Sequence, residues 1–96
     1  MRIIYRARAL ADIDDIYRYI EERSPTGARN IVHAIHDSIQ AIAEQPYGSV
    51  RTNNPDIRVK VVRRYRYKIF YRIVDADTIA IIHIRHTSRR VWQGER

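Results

Sequence analysis

Past the short opening segment, the apolar residues of the chain change their period at Pro46, and that change limits the folds open to it. Before it, Leu10, Ile13, Ile16, Tyr17 and Ile20 recur at spacings of three and four, as do Ala28, Ile31, Val32, Ile35, Ile39 and Ile42. Each set forms one apolar stripe along a helix. After it the pattern alternates. Ile57, Val59 and Val61 are interleaved with Arg58 and Lys60. Tyr65, Tyr67, Ile69, Tyr71 and Ile73 then share one face of a strand, with Arg66, Lys68, Phe70, Arg72 and Val74 on the other. A period of two is that of half-buried strands. The segment Thr78 to His86 is rich in β-branched residues and apolar on both faces at its start, as an interior strand is.

Local signals divide the rest. Residues 2–6 read as a short first strand with Ile3 and Tyr5 on one face and Ile4 on the other. Asp12, Asp14, Asp15, Arg18, Glu21 and Glu22 fall largely on the polar side of the first helix. Pro25 disfavours helical geometry in Ser24, so that helix ends there, and Ser24-Pro25 supplies the N-cap and first turn of the next. Two amphipathic helices joined so closely predict a helical hairpin. Residues 46–56 read as a loop, Asp75-Ala76-Asp77 as a tight turn, and the tail from Ser88 to Gln93 as one helical turn at most. The prediction is one α+β domain over residues 1–96, ordered β-α-α-β-β-β, with an antiparallel sheet packed on the helical hairpin.

Composition removes several classes. Ninety-six residues suit one domain. Without cysteine there is no disulfide framework, no thiolate metal site and no thiol nucleophile. No apolar run approaches the roughly 20 residues of a membrane span, and the opening Met1-Arg2-Ile3-Ile4-Tyr5-Arg6 leads into a polar helix instead of a secretory leader. A cytoplasmic protein is expected. Gly27, Gly48 and Gly94 are isolated, so no phosphate-binding glycine loop exists and no cofactor is expected. Ser24, Ser38, Ser49 and Ser88 lie in no nucleophile context. His33 and His36 have a chelating spacing on the second helix but lack a third ligand, Asp37 pointing elsewhere, so no metal is expected.

The charge is what remains. The chain carries a net +7. Residues 1–56 hold seven basic and eight acidic groups, a net of −1, and residues 57–96 hold eleven basic and three acidic, a net of +8. Such asymmetry points to an anionic partner facing the second half. Alternation predicts Arg58, Lys60, Arg66, Lys68 and Arg72 on a common surface, with Arg63 and Arg64 at the turn and Arg85, His86, Arg89 and Arg90 closing the last strand. Cations interleaved with aromatic rings suit phosphates and bases, although the phase of Tyr65, Tyr67 and Tyr71 matches Ile69 and Ile73 and assigns them to the core. His83 and His86 face opposite ways in a strand, which disfavours a two-histidine acid–base pair. His86 then either acts near a phosphate or fixes the C-terminal turn.

The element order, the segment Tyr65-Arg66-Tyr67-Lys68-Ile69-Phe70-Tyr71-Arg72-Ile73 and the ending Ile84-Arg85-His86-Thr87-Ser88-Arg89-Arg90-Val91-Trp92 resemble the RelE/ParE toxins of type II toxin–antitoxin systems, also known as plasmid-stabilisation proteins. The opening Ala9-Leu10-Ala11-Asp12-Ile13-Asp14-Asp15-Ile16 is similar as well. In the RelE branch the resemblance implies a ribosome-dependent endoribonuclease that cleaves mRNA in the A site. Lys68, His86 and Arg89 would then be catalytic, with Arg58 and Lys60 in the positions of basic strand residues. Trp92 stands where that branch has a C-terminal tyrosine or histidine, and an indole carries no titrating proton. The ParE branch inhibits DNA gyrase without a catalytic residue of its own. Its tail is similar to His86-Thr87-Ser88-Arg89-Arg90, and that branch is the expected one. In either case Arg58, Lys60, Arg63, Arg64, Arg66, Arg72, Arg85 and Arg90 would bind the target or nucleic acid, and Trp92 a cognate antitoxin, in an assembly of the two chains.

Overall fold

The first strand of the chain lies beside the last, and that pairing organises everything between them. In the computed structural model, which describes residues 1–87, β1 (Arg2–Tyr5) leads into α1 (Ala7–Glu21) and α2 (Pro25–Glu44). Then follow β2 (Val50–Arg51), β3 (Arg58–Val62), a 3-10 turn (Arg63–Tyr65), β4 (Tyr67–Asp75) and β5 (Thr78–His86). The sheet order is β1-β5-β4-β3-β2. β1 runs parallel to β5, with Ile3 beside Ile79 and Tyr5 beside Ile81, while β2 to β5 pair antiparallel. The expected meander is present, and the sheet as a whole is mixed, because a strand that precedes the helical hairpin can return to it parallel.

The helices form where their stripes predicted, with one shift of phase. The hairpin turns over Glu22, Arg23 and Ser24, and the Ser24 hydroxyl accepts the Gly27 N–H at 3.0 Å. A Cβ on residue 27 would stand only 3.0 Å from that same oxygen, so glycine keeps the cap clear. On α1 the inward positions are Ala9, Ile13, Ile16 and Ile20, whereas Leu10, expected on the stripe, is 55% exposed. On α2 the inward positions are Ala28, Ile31, Ile35, Ile39 and Ile42.

These stripes pack on one face of the sheet, against Val62, Tyr67, Ile69, Tyr71, Ile79, Ile81 and Ile84. Burying each large aliphatic side chain contributes about 1.5–3 kcal/mol, so the core, more than helix propensity, holds the hairpin down. The tyrosines thus belong to the core, as their phase indicated. On the opposite face Ile57, Phe70 and Ile82 form a smaller cluster, with Val59 packed against it. A register shift between Phe70 and Tyr71 leaves Ile82 without a cross-strand partner. It lets Ile81 and Ile84 face the helices while Ile82 turns to the other side.

Two details depart from the sequence reading. The segment 46–56, read as loop, contributes β2, which pairs Val50 with Val59 and Arg51 with Arg58. Tyr65 and Arg66, read as strand residues, precede β4: Tyr65 ends the 3-10 turn, and Arg66 caps it in the left-handed region, at φ 59° and ψ 42°. Among the described residues no helix is long and apolar enough to cross a membrane.

Candidate functional site

Cross-strand register decides which of the second half's cations share a surface. Residues directly opposite in a sheet lie on the same face. Arg58 is opposite Tyr71 and Lys60 opposite Ile69, both core residues, so these two cations lie on the helix side of the sheet. Lys68 is opposite Val61 and Arg85, Phe70 opposite Val59 and His83, and Arg72 opposite Ala80, all on the other side. The expected common surface of Arg58, Lys60, Lys68 and Arg72 is therefore not formed. Alternation fixes which residues of one strand share a face. It leaves open which face of the next strand they join, since a slip of one residue reverses it.

On the helix side, Arg58 works locally. Its guanidinium donates to the Ser49 carbonyl at 2.8 Å and the Tyr47 carbonyl at 3.3 Å, and its carbon lies 5.1 Å from the Tyr47 ring centroid. It straps the 47–49 loop to β3. Beneath that loop the Tyr71 hydroxyl donates to the Pro46 carbonyl at 2.6 Å. Burial pushes the Tyr71 phenol above its ordinary value of 10.0, against the pull of the nearby Arg58 charge. Lys60 lines a cleft of about 280 Å³ with Ala41, Ile42, Glu44, Gln45, Gly48 and Ser49, at the C-terminus of α2. A cation there suits the negative end of the helix dipole, and α2 has no basic residue in its last turn.

At the β3–β4 corner the cations face outward. Arg63, Arg64 and Arg66 are exposed, and the Arg64 guanidinium carbon lies 5.7 Å from the centroid of the half-buried Tyr65 ring. The Arg66 backbone is held from both sides, its N–H donating to Val62 at 2.9 Å and its carbonyl accepting from Thr87 at 2.7 Å. For a non-glycine residue the left-handed conformation costs about 1–2 kcal/mol. Nothing in the sequence marked that position.

The histidines separate as expected. His86 meets the Tyr67 ring edge to face at 5.3 Å, and His83 stacks on Phe70 at 5.9 Å on the other side. The Asp12 carboxylate reaches the edge of β5 beyond the end of β1, where one oxygen accepts the Ile84 N–H at 2.9 Å and meets His83 Nδ1 at 2.6 Å. The helical pattern of the sequence puts Asp12 on the polar side of α1. Its phase, three residues past the buried Ala9, was the available signal. Arg89, Arg90 and Trp92 lie outside the described residues. Among the described residues no three metal-ligating side chains cluster.

The family described as the ParE toxin of type II toxin–antitoxin systems, parDE, matches residues 3–91. The protein Y4kP of Sinorhizobium fredii (strain NBRC 101917 / NGR234) is 32% identical over 83 residues, covering 85% of this chain and 86% of that protein. Among solved structures, the chromosomal ParDE system from P. aeruginosa matches with a TM-score of 0.78 at 23% identity, covering 92% of this chain and 97% of that one. The isolated E. coli RelE toxin matches with a TM-score of 0.64 at 15% identity, covering 93% of this chain and 86% of that one.

Proposed function

The chain belongs to the ParE toxin family of type II toxin–antitoxin systems, and from that membership we propose that it inhibits DNA gyrase and is held inactive by a cognate antitoxin. One observation carries the choice of target. Ribonuclease chemistry of the RelE kind needs acid, base and phosphate-holding groups within hydrogen-bond reach of one scissile phosphate, about 2.6–3.2 Å. Arg58 and Lys60 are separated from Lys68 by the sheet itself, and Arg58 is spent on the carbonyls of Tyr47 and Ser49. That arrangement supports a toxin that acts by binding its target, with no catalytic group of its own. The antitoxin reading rests on the family's two-component character. It fits a chain of net charge +7, which an acidic or amphipathic partner would neutralise.

The test is a supercoiling assay with the purified chain, beside primer extension on a translated message. Inhibited supercoiling with an intact message is the expected pair of results. Normal supercoiling with cuts inside codons, abolished in Lys68→Ala or His86→Ala, would replace this reading with the ribonuclease one. Expressing the chain alone should arrest growth, and co-expression with a cognate antitoxin should relieve that arrest and yield a stable complex.

A further inference from the structure

The corner between β3 and β4 keeps an arginine where the backbone favours glycine or asparagine. Arg66 sits at φ 59°, and its two backbone hydrogen bonds, to Val62 and from Thr87, would form equally well with glycine. Its side chain is exposed and makes no hydrogen bond or ion pair among the described residues, so no contact there offsets the strain. A strained residue whose side chain does nothing for the fold points outward, to something the side chain meets.

What surrounds it gives the chemistry. Between Ile57 and Val74 the sequence holds seven cations and no acidic residue. Arg63, Arg64 and Arg66 fall within four consecutive residues, and none of them forms an ion pair among the described residues. Guanidinium forks match phosphate oxygens. Three residues of 3-10 turn rise about 6 Å, comparable to the two steps that separate three successive phosphates on one strand of a duplex, about 3.4 Å each along its axis.

We propose that the Arg63, Arg64 and Arg66 corner docks on the phosphate backbone of duplex DNA, without reading its sequence. Single-stranded nucleic acid would need free aromatic rings to stack on. Here Tyr65 is half-buried against the core and Tyr67 is buried beside His86. A protein partner would need apolar anchors, and among residues 58–67 Val61 is the single large apolar side chain left exposed. Charge without a stacking platform or an apolar pocket fits a backbone contact. The proposal does not depend on gyrase being the target.

The experiment is fluorescence anisotropy of the purified full chain with a short labelled DNA duplex over a range of salt concentrations, with thermal unfolding of each variant. Removing one phosphate contact should lower the slope of log affinity against log salt by about one. Arg63→Ala, Arg64→Ala and Arg66→Gly should each do so. Arg29→Ala, which removes an equal charge from the exposed side of α2, should leave the slope unchanged. Arg66→Gly should also raise Tm by about 4–8 °C, because it removes strain while it removes binding. The proposal fails if Arg29→Ala lowers the slope as much, or if Arg66→Gly leaves it intact or lowers Tm. It fails equally if single-stranded RNA or an acidic peptide binds the corner more tightly than the duplex.

Discussion

One carboxylate oxygen of Asp12 serves both His83 Nδ1, at 2.6 Å, and the backbone N–H of Ile84, at 2.9 Å. It stands where β1 has ended and the edge of β5 would otherwise be bare. A side chain of α1 thereby continues the work of a strand, and it ties the helix to the central part of the sheet. Asp12→Ala leaves a buried N–H and a buried imidazole without that acceptor, which costs on the order of 2–4 kcal/mol. For a domain of this size the expected loss in Tm exceeds about 8 °C. Asp14→Ala is the reference, since Asp14 is exposed and among the described residues pairs only with Arg18, at 2.9 Å. Equal losses in the two variants would contradict this role for Asp12. Asp12→Asn keeps one oxygen for Ile84 and should fall between.

Ser24 caps α2 through the Gly27 N–H. Ser24→Ala removes that acceptor, and thermal unfolding should show a loss of about 1 kcal/mol. Ser24→Asp should restore it, because a carboxylate both caps the helix and complements its dipole. An unstable Asp variant would point to crowding at Gly27 instead of capping.

The Tyr71 phenol gives stability a defined pH dependence. Its folded pKa lies above the unfolded value of 10.0, chiefly through burial, so the unfolded state ionises first. The Tyr71 contribution to stability is therefore fully present below pH 10.0 and is lost as the pH rises from there toward the folded pKa. Tyr5, raised by its own burial, acts in the same direction. Tyr71→Phe should flatten part of this alkaline decline and lower stability at neutral pH by about 1 kcal/mol, through the lost bond to Pro46. Denaturant titrations at pH 8 and above, on the natural chain and the variant, measure both effects.

Arg58 is predicted to act through the loop it straps. Arg58→Lys keeps the charge but gives up the Nη1 that donates to both Ser49 and Tyr47 and the planar group that lies over the Tyr47 ring. Amide exchange at residues 49–52 should quicken, with a global loss under about 1 kcal/mol. If exchange there is unchanged while target binding falls, Arg58 contacts the target directly.

Much of this fold was legible in the sequence because its signals are local. The stripe from Ala28 to Ile42, the Ser24-Pro25 junction and the bounds of β5 all depend on a few neighbouring residues. The parallel seat of β1 against β5 depends on residues far apart in the chain, and no local pattern encodes it. The candidate surface failed for a related reason. Lys60 and Lys68 each alternate correctly within their own strands, yet the 3-10 turn sets the register that puts them on opposite faces. No local pattern marks the role of Asp12 or Arg66, because their importance lies in an unfilled strand edge and a backbone angle, which exist only in the assembled sheet.

The pairing of β1 with β5 also governs when the molecule can come into being. β1 is made first and waits for residues 78–81, while β5, the strand flanked by β1 and β4, is made last among the strands. Until the ribosome has passed residue 86, the helical hairpin has no β5 to cover and β1 has no neighbour. A chain that stops short of Thr78 carries both described helices and four of the five described strands, yet cannot complete the sheet. The contact between β1 and β5 therefore closes late in synthesis, after the helices and the other described strands have been made.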